Sequence, residues 1–186
     1  MADHARRTTW CAVLSALATI AGTDAQTPPI GSVQTTGPAA DSVALNGDLA
    51  YVGDWTGRID VVDIHDPTNP VVLTSVGPLS QEIADLAVHG PDPPVANDAN
   101  GLVRFGLSVP TAPAWISNRG DGSYAHSVHV DATRGVVQTG YIYSGGAVSY
   151  ETATFPGATP NHRWPLQRHV WDVHVAGDRC YVFSGD

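Results

Sequence analysis

A chain of 186 residues is long enough for one domain with a sizeable core, and its net charge of −9 comes from 18 acidic side chains against nine arginines and no lysine. That balance excludes nucleic acid as an expected partner, because phosphate binding needs a basic patch that this chain lacks. Its two cysteines exclude a dense disulfide scaffold.

In chain order, Arg6 and Arg7 precede an apolar run from Trp10 to Ile20, and Thr23, Asp24 and Ala25 offer small residues before Gln26. Residues 1–25 therefore read as a secretory signal peptide: a basic start, a short apolar stretch and a small-residue exit. The run is too short for a stable bilayer anchor, so no membrane span is expected, and the mature chain is expected to be secreted, periplasmic or at the cell surface. Cleavage removes Cys11 and leaves Cys180 in Arg179-Cys-Tyr-Val-Phe183, where a small half-buried strand residue is expected.

Beyond Gln26 the periodicity is that of short strands. Ile30 to Val33 reads as a lone strand, Ser42 to Leu45 alternates and turns at Asn46-Gly47-Asp48, and Leu49 to Gly53 follows. Arg58 to Ile64 is β-branched, and Asp66-Pro-Thr-Asn-Pro70 turns it back into Val71 to Val76, with both prolines where a ladder donor would be wasted. The pattern then repeats. A shift of 43 residues places Val43-Ala-Leu45 on Leu86-Ala-Val88, Pro67 on Pro110, Pro70 on Pro113, and Ile30-Gly-Ser-Val33 on Leu73-Thr-Ser-Val76. Three periods later Gly47-Asp48 and Tyr51-Val52 recur as Gly177-Asp178 and Tyr181-Val182 without a gap. A period of this length is that of a four-stranded propeller blade.

The expected fold is all-β: a β-propeller of four-stranded antiparallel blades over residues 26–186, with units at 41–78, 84–119, 125–166 and 169–186. The third unit is expected to reach Phe155-Pro156, and the fourth has only its first two strands before the chain stops. About 3.5 blades make an incomplete ring, since closure takes roughly four to eight, so the sequence reads as the N-terminal part of a longer protein.

Ile59-Asp-Val-Val-Asp63, followed by Ile64-His-Asp-Pro67 and Asn69-Pro70, resembles the LVIVD repeat family, as does Gly47-Asp-Leu-Ala-Tyr-Val-Gly-Asp54. The second unit departs from it with Leu102-Val-Arg-Phe-Gly106, and the third lacks the Asn-Pro turn. The resemblance implies an exported, mostly bacterial β-propeller of the periplasm or cell surface, and it brings no established catalytic residues.

Histidine is the reactive residue type that clusters. His126 and His129 open the third unit; His169, Asp172 and His174 open the fourth; His129 and His174 share one register position, and Asp85 shares that of Asp172. First strands line a propeller's channel, so these six residues are expected near its mouth. Imidazole and carboxylate can assemble a zinc site, and the same groups can simply bond to backbone carbonyls or water. Asp54-Trp-Thr-Gly57 and Asp98-Ala-Asn-Gly101 match one another and suit calcium, or an ordinary turn. Trp55, Trp115 and Trp164 suit stacking on a glycan or packing between blades. Ser80 and Ser123 lack a nucleophile-elbow setting, and Gly145-Gly146 is not followed by a phosphate-loop lysine. The expected function is a non-catalytic extracytoplasmic binding scaffold for a protein or glycan, with no cofactor. The alternative is a metal-dependent, hydrolase-like enzyme with zinc or calcium, built on the histidine cluster.

Overall fold

The computed structural model describes residues 29–79, 81–89, 94–96, 101–119, 124–143, 146–151, 162–166, 168–176 and 178–185, and every regular element among them is a strand. The first sheet orders β1 (Ala40–Asn46), β2 (Leu49–Asp54), β3 (Ile59–Asp63) and β4 (Val71–Val76) as an antiparallel meander. The second does the same with β5 (Asp85–Leu86), β6 (Pro94–Ala96), β7 (Leu102–Gly106) and β8 (Ala114–Arg119). The third comprises β9 (Tyr124–Asp131), β10 (Val136–Ile142), β11 (Gly146–Glu151) and β12 (His162–Trp164), and the fourth only β13 (His169–Ala176) and β14 (Arg179–Gly185). These are three blades and a half-blade, the expected architecture, and the ring is not closed.

Local chemistry explains the first blade. Asn46 pairs with Leu49 across Gly47 and Asp48, and Gly47 takes a φ of 59°, which only glycine adopts without strain. In β3 the alternation of side chains serves two cores at once. Ile59 and Val61 join Tyr51, Ile83, Leu86 and Phe105 between the first two blades, while Val62 joins Ala50 and Val52 on the opposite face. Burial on both faces is why this strand is nearly continuous in apolar residues. Its one charged interior residue, Asp60, is buried and accepts hydrogen bonds from the Thr36 amide and hydroxyl, both at 2.6 Å.

Two expectations meet a different structure. Ile30 to Val33 forms no strand, because a strand needs a ladder partner and none runs beside it among the described residues. The segment instead lies against the first blade, with Val33 packed on the Ala50, Val52 and Val62 face and Gly31 close against the backbone of Pro67 and Thr68. Cys180 is exposed, not half-buried, as are both its neighbours Arg179 and Tyr181 near the start of β14. The fourth strand of the third blade is His162–Trp164; Phe155-Pro156 lies outside the described residues, as do residues 1–25, Asp98 to Asn100, Ser80, Ser123 and Gly145.

Asp54 is the polar centre of the first blade's β2–β3 turn. Its buried carboxylate accepts from the Thr56 amide at 2.8 Å, the Thr56 hydroxyl at 2.8 Å and the Arg58 amide at 2.9 Å. All three donors reach Oδ1, and the Thr56 hydroxyl also lies 3.1 Å from Oδ2, so the carboxylate closes the Asp54-Trp-Thr-Gly57 turn. Asp54→Ala should strand two amides and cost about 3 kcal/mol in a denaturant titration, whereas Asp66→Ala, in an exposed turn, should cost under about 1 kcal/mol.

Candidate functional site

All six candidate residues fall on innermost strands: Asp85 on β5, His126 and His129 on β9, and His169, Asp172 and His174 on β13. Their register is set by the repeat, since Ser42, Asp85, Ser127 and Asp172 pair with Gly53, Ala96, Gly140 and Phe183 respectively. The structure divides the six into two groups along these strands.

At the beginning of the strands, Asp85 bridges two blades. Its carboxylate accepts from the Val128 amide of the third blade at 2.8 Å and from its neighbour Leu86 at 2.8 Å. Burial pushes its pKa up to about 6, with the charge of Asp172 adding to the rise, while the Val128 and Leu86 hydrogen bonds and His126 pull the other way. His126 Nδ1 donates to the Trp171 carbonyl at 3.1 Å, and its ring stands edge-on to the Trp171 indole with centroids 5.2 Å apart. From Trp171 the contacts continue through His169 at 5.7 Å to Tyr143 at 5.2 Å and Tyr124 at 4.9 Å. Five rings from two blades thus form one band, and Tyr143 and Trp171 are exposed. Tyr143 holds its place with a φ of 61°, which costs a non-glycine residue about 1–2 kcal/mol.

Farther along the strands, His129 and His174 pair edge-on with centroids 4.9 Å apart. Burial lowers the His129 pKa and His174 lowers it further, against the pull of Asp131 and Asp172. An open groove of about 490 Å³ lies beside them, lined by His129, Asp131, Arg134 and Val175 among others. No group of three His, Cys, Asp or Glu side chains among the described residues is arranged to hold a metal ion. The histidines come together as a pair and as members of the aromatic band, not as a three-ligand centre.

Sequence reasoning missed Trp171, Tyr143 and Tyr124. Trp171 adjoins the candidate Asp172, yet its partner His126 lies far from it in sequence, as Tyr143 lies far from its partner His169, so no local signal marks the band. The tryptophans singled out instead, Trp55, Trp115 and Trp164, are each exposed and lie outside it.

With the geometry fixed, comparison with known proteins places the repeat. The LVIVD repeat family model matches residues 37–77, which span the whole first sheet. The first blade matches the LVIVD repeat. No curated protein matches the sequence. Among solved structures the chain is similar to the computationally designed Ika4 protein, with a TM-score of 0.61 at 12% identity over 78% of this chain and 85% of that one. It is similar to the designed Ika8 protein with a TM-score of 0.60 at 13% identity, covering 77% of this chain and 42% of that one. BamB from Moraxella catarrhalis matches with a TM-score of 0.57 at 17% identity, over 78% of this chain and 44% of that one. At such identities the likeness is one of fold, and this chain spans less than half of the Ika8 and BamB chains.

Asp85 makes a sharp prediction. A carboxyl whose folded pKa lies near 6, above its ordinary value of 3.8, binds more protons in the folded state between those values. Stability therefore falls as pH rises from about 4 to about 6 and levels off above that range. Asp85→Asn should flatten that part of the profile while keeping an acceptor for Val128, and Asp85→Ala should cost about 1–3 kcal/mol at pH 5 because the amide loses its partner. Denaturant titrations across pH 4 to 8 on the three proteins check both.

Proposed function

We propose that this LVIVD-repeat propeller is an exported, non-catalytic binding scaffold that works outside the cytoplasm and engages a protein or glycan through the inner-strand face of its third and fourth blades. The band Tyr124, Tyr143, His169, Trp171 and His126 carries the reading. Exposed aromatic rings supply broad contact area at low entropic cost, and their polar tips and the nearby carboxylates supply orientation. Export is supported by the signal-peptide pattern of residues 1–25 and by the family resemblance. No helix among the described residues is long and apolar enough to cross a membrane.

The test uses protein recovered from an exporting host, whose intact mass should lack residues 1–25. Tryptophan fluorescence is then titrated with a panel of soluble oligosaccharides and with chelator or zinc present. The scaffold reading expects a saturable change that disappears in Trp171→Ala, is indifferent to chelator, and comes with no zinc-dependent rise in Tm. A zinc site at about 100 times its Kd would add roughly 2.7 kcal/mol, a rise of several degrees that His129→Ala with His174→Ala would abolish. That rise, or zinc-dependent turnover of an ester, would instead establish the metal-enzyme alternative. A flat oligosaccharide titration would remove glycans and leave a protein partner.

A further inference from the structure

Three innermost strands share one irregularity. Ala40 and Ser42 pair with the adjacent residues Asp54 and Gly53, Ala125 and Ser127 with Tyr141 and Gly140, and Val170 and Asp172 with Ser184 and Phe183. One extra residue therefore interrupts each ladder: Asp41 in β1, His126 in β9 and Trp171 in β13, all at one position of the repeat. A β-bulge leaves its extra residue unpaired and re-aims the side chain. Here the re-aimed side chains are a carboxylate, an imidazole and an indole from three blades.

They converge on His126. Its ring stands edge-on to Trp171 and its Nδ1 bonds to the Trp171 carbonyl, which joins the bulges of the third and fourth blades. Asp41 lies within electrostatic reach of the same imidazole. Burial raises the Asp41 pKa and a hydrogen bond from the Trp55 side chain lowers it, while Asp54 raises it and His126 lowers it by smaller amounts. Asp85, at the next register position, feels both Asp172 and His126. Carboxylates of the first, second and fourth blades thus surround an imidazole of the third. Aromatic surface continues from them to the rim, where Trp55 in the β2–β3 turn is 63% exposed and Tyr143 after β10 is 68% exposed. The arginine beside the band in sequence, Arg168, already has an interaction partner. Indole faces and carboxylates both attract a cation, and a chain of net charge −9 repels an anion.

We propose that this mouth binds an arginine or lysine side chain presented by a protein partner, its charge held by Asp41 and Asp172 and its stem lying on Trp171. The inference rests on the scaffold reading of the aromatic band and names the band's ligand. Arginine fits better than lysine, because its planar group stacks on an indole and bonds to a carboxylate through two donors at once. Asp85 is held by the Val128 and Leu86 amides, so it adds charge without direct contact.

The test titrates the full-length chain, by calorimetry, with short glycine peptides that have blocked ends and one central arginine, lysine or glutamine. The arginine peptide should bind about tenfold tighter than the glutamine peptide, with lysine between them. Asp41→Asn, Asp172→Asn and Trp171→Ala should each weaken arginine binding about threefold, while Asp66→Asn in its exposed turn should leave it unchanged. Added salt should weaken the arginine peptide and not the glutamine peptide. Equal binding of those two peptides, indifference to both asparagine variants, or no saturation by either cationic peptide up to about 10 mM would overturn the proposal. An oligosaccharide that then saturates the wild type and not Trp171→Ala would keep the band reading while the cation falls. Arginine binding that needs both carboxylates but survives Trp171→Ala would overturn the band reading and keep the cation. A free polyamine that binds where the peptides do not would overturn the protein partner and assign the mouth to a small amine.

Discussion

The fit of a branched side chain into a glycine notch on the preceding blade is the contact on which the rest of this structure depends. No blade has a core of its own: each four-stranded sheet is one layer thick and must bury both faces against neighbours. Gly53 with Ile83, and Gly140 with Val170, set how closely adjacent sheets approach, and the apolar clusters around Tyr51, Phe105 and Tyr150 fill the space farther out. Stability in such a chain is a sum of blades and junctions.

The same constraint sorts the chemistry. The clusters between blades are apolar, and the candidate carboxylates and histidines sit on the first strands. There a carboxylate such as Asp85 can hold the next blade's amide, and a histidine such as His126 can hold a backbone carbonyl. Two of the candidate groups therefore work as structural connectors in the closed part of the ring. The aromatic band lies at the rim of these connections, with Trp171 and Tyr143 facing solvent on a support that packing has fixed.

Much of the fold was legible because repetition converts weak local signals into strong ones. Asn46-Gly47, the paired prolines at 67 and 70, and their counterparts at 110 and 113 mark turns at a constant spacing, and the strands fall between them. The segment Ile30 to Val33 carries a strand's residues without a strand's partner, and pairing is a property of neighbours that its own sequence does not contain. The site was legible by strand but not by contact. Register put His129 and His174 at equivalent positions, and they do meet; whether His126 points to a metal or to the Trp171 carbonyl depends on how two blades abut, which no local pattern encodes.

A double-mutant cycle at the first notch tests the packing account most directly. Gly53→Ala should cost about 2 kcal/mol with Ile83 present, because the new methyl group must displace Ile83 Cγ2. In an Ile83→Ala background the same change should cost about 1–2 kcal/mol less, which is the coupling between the two sites, and the cost that remains reflects Ser42 Oγ, 2.5 Å from the added carbon, and the Cβ of residue 83, 2.7 Å from it. Equal costs of Gly53→Ala in both backgrounds would contradict the account, since the two residues would then not be filling one space.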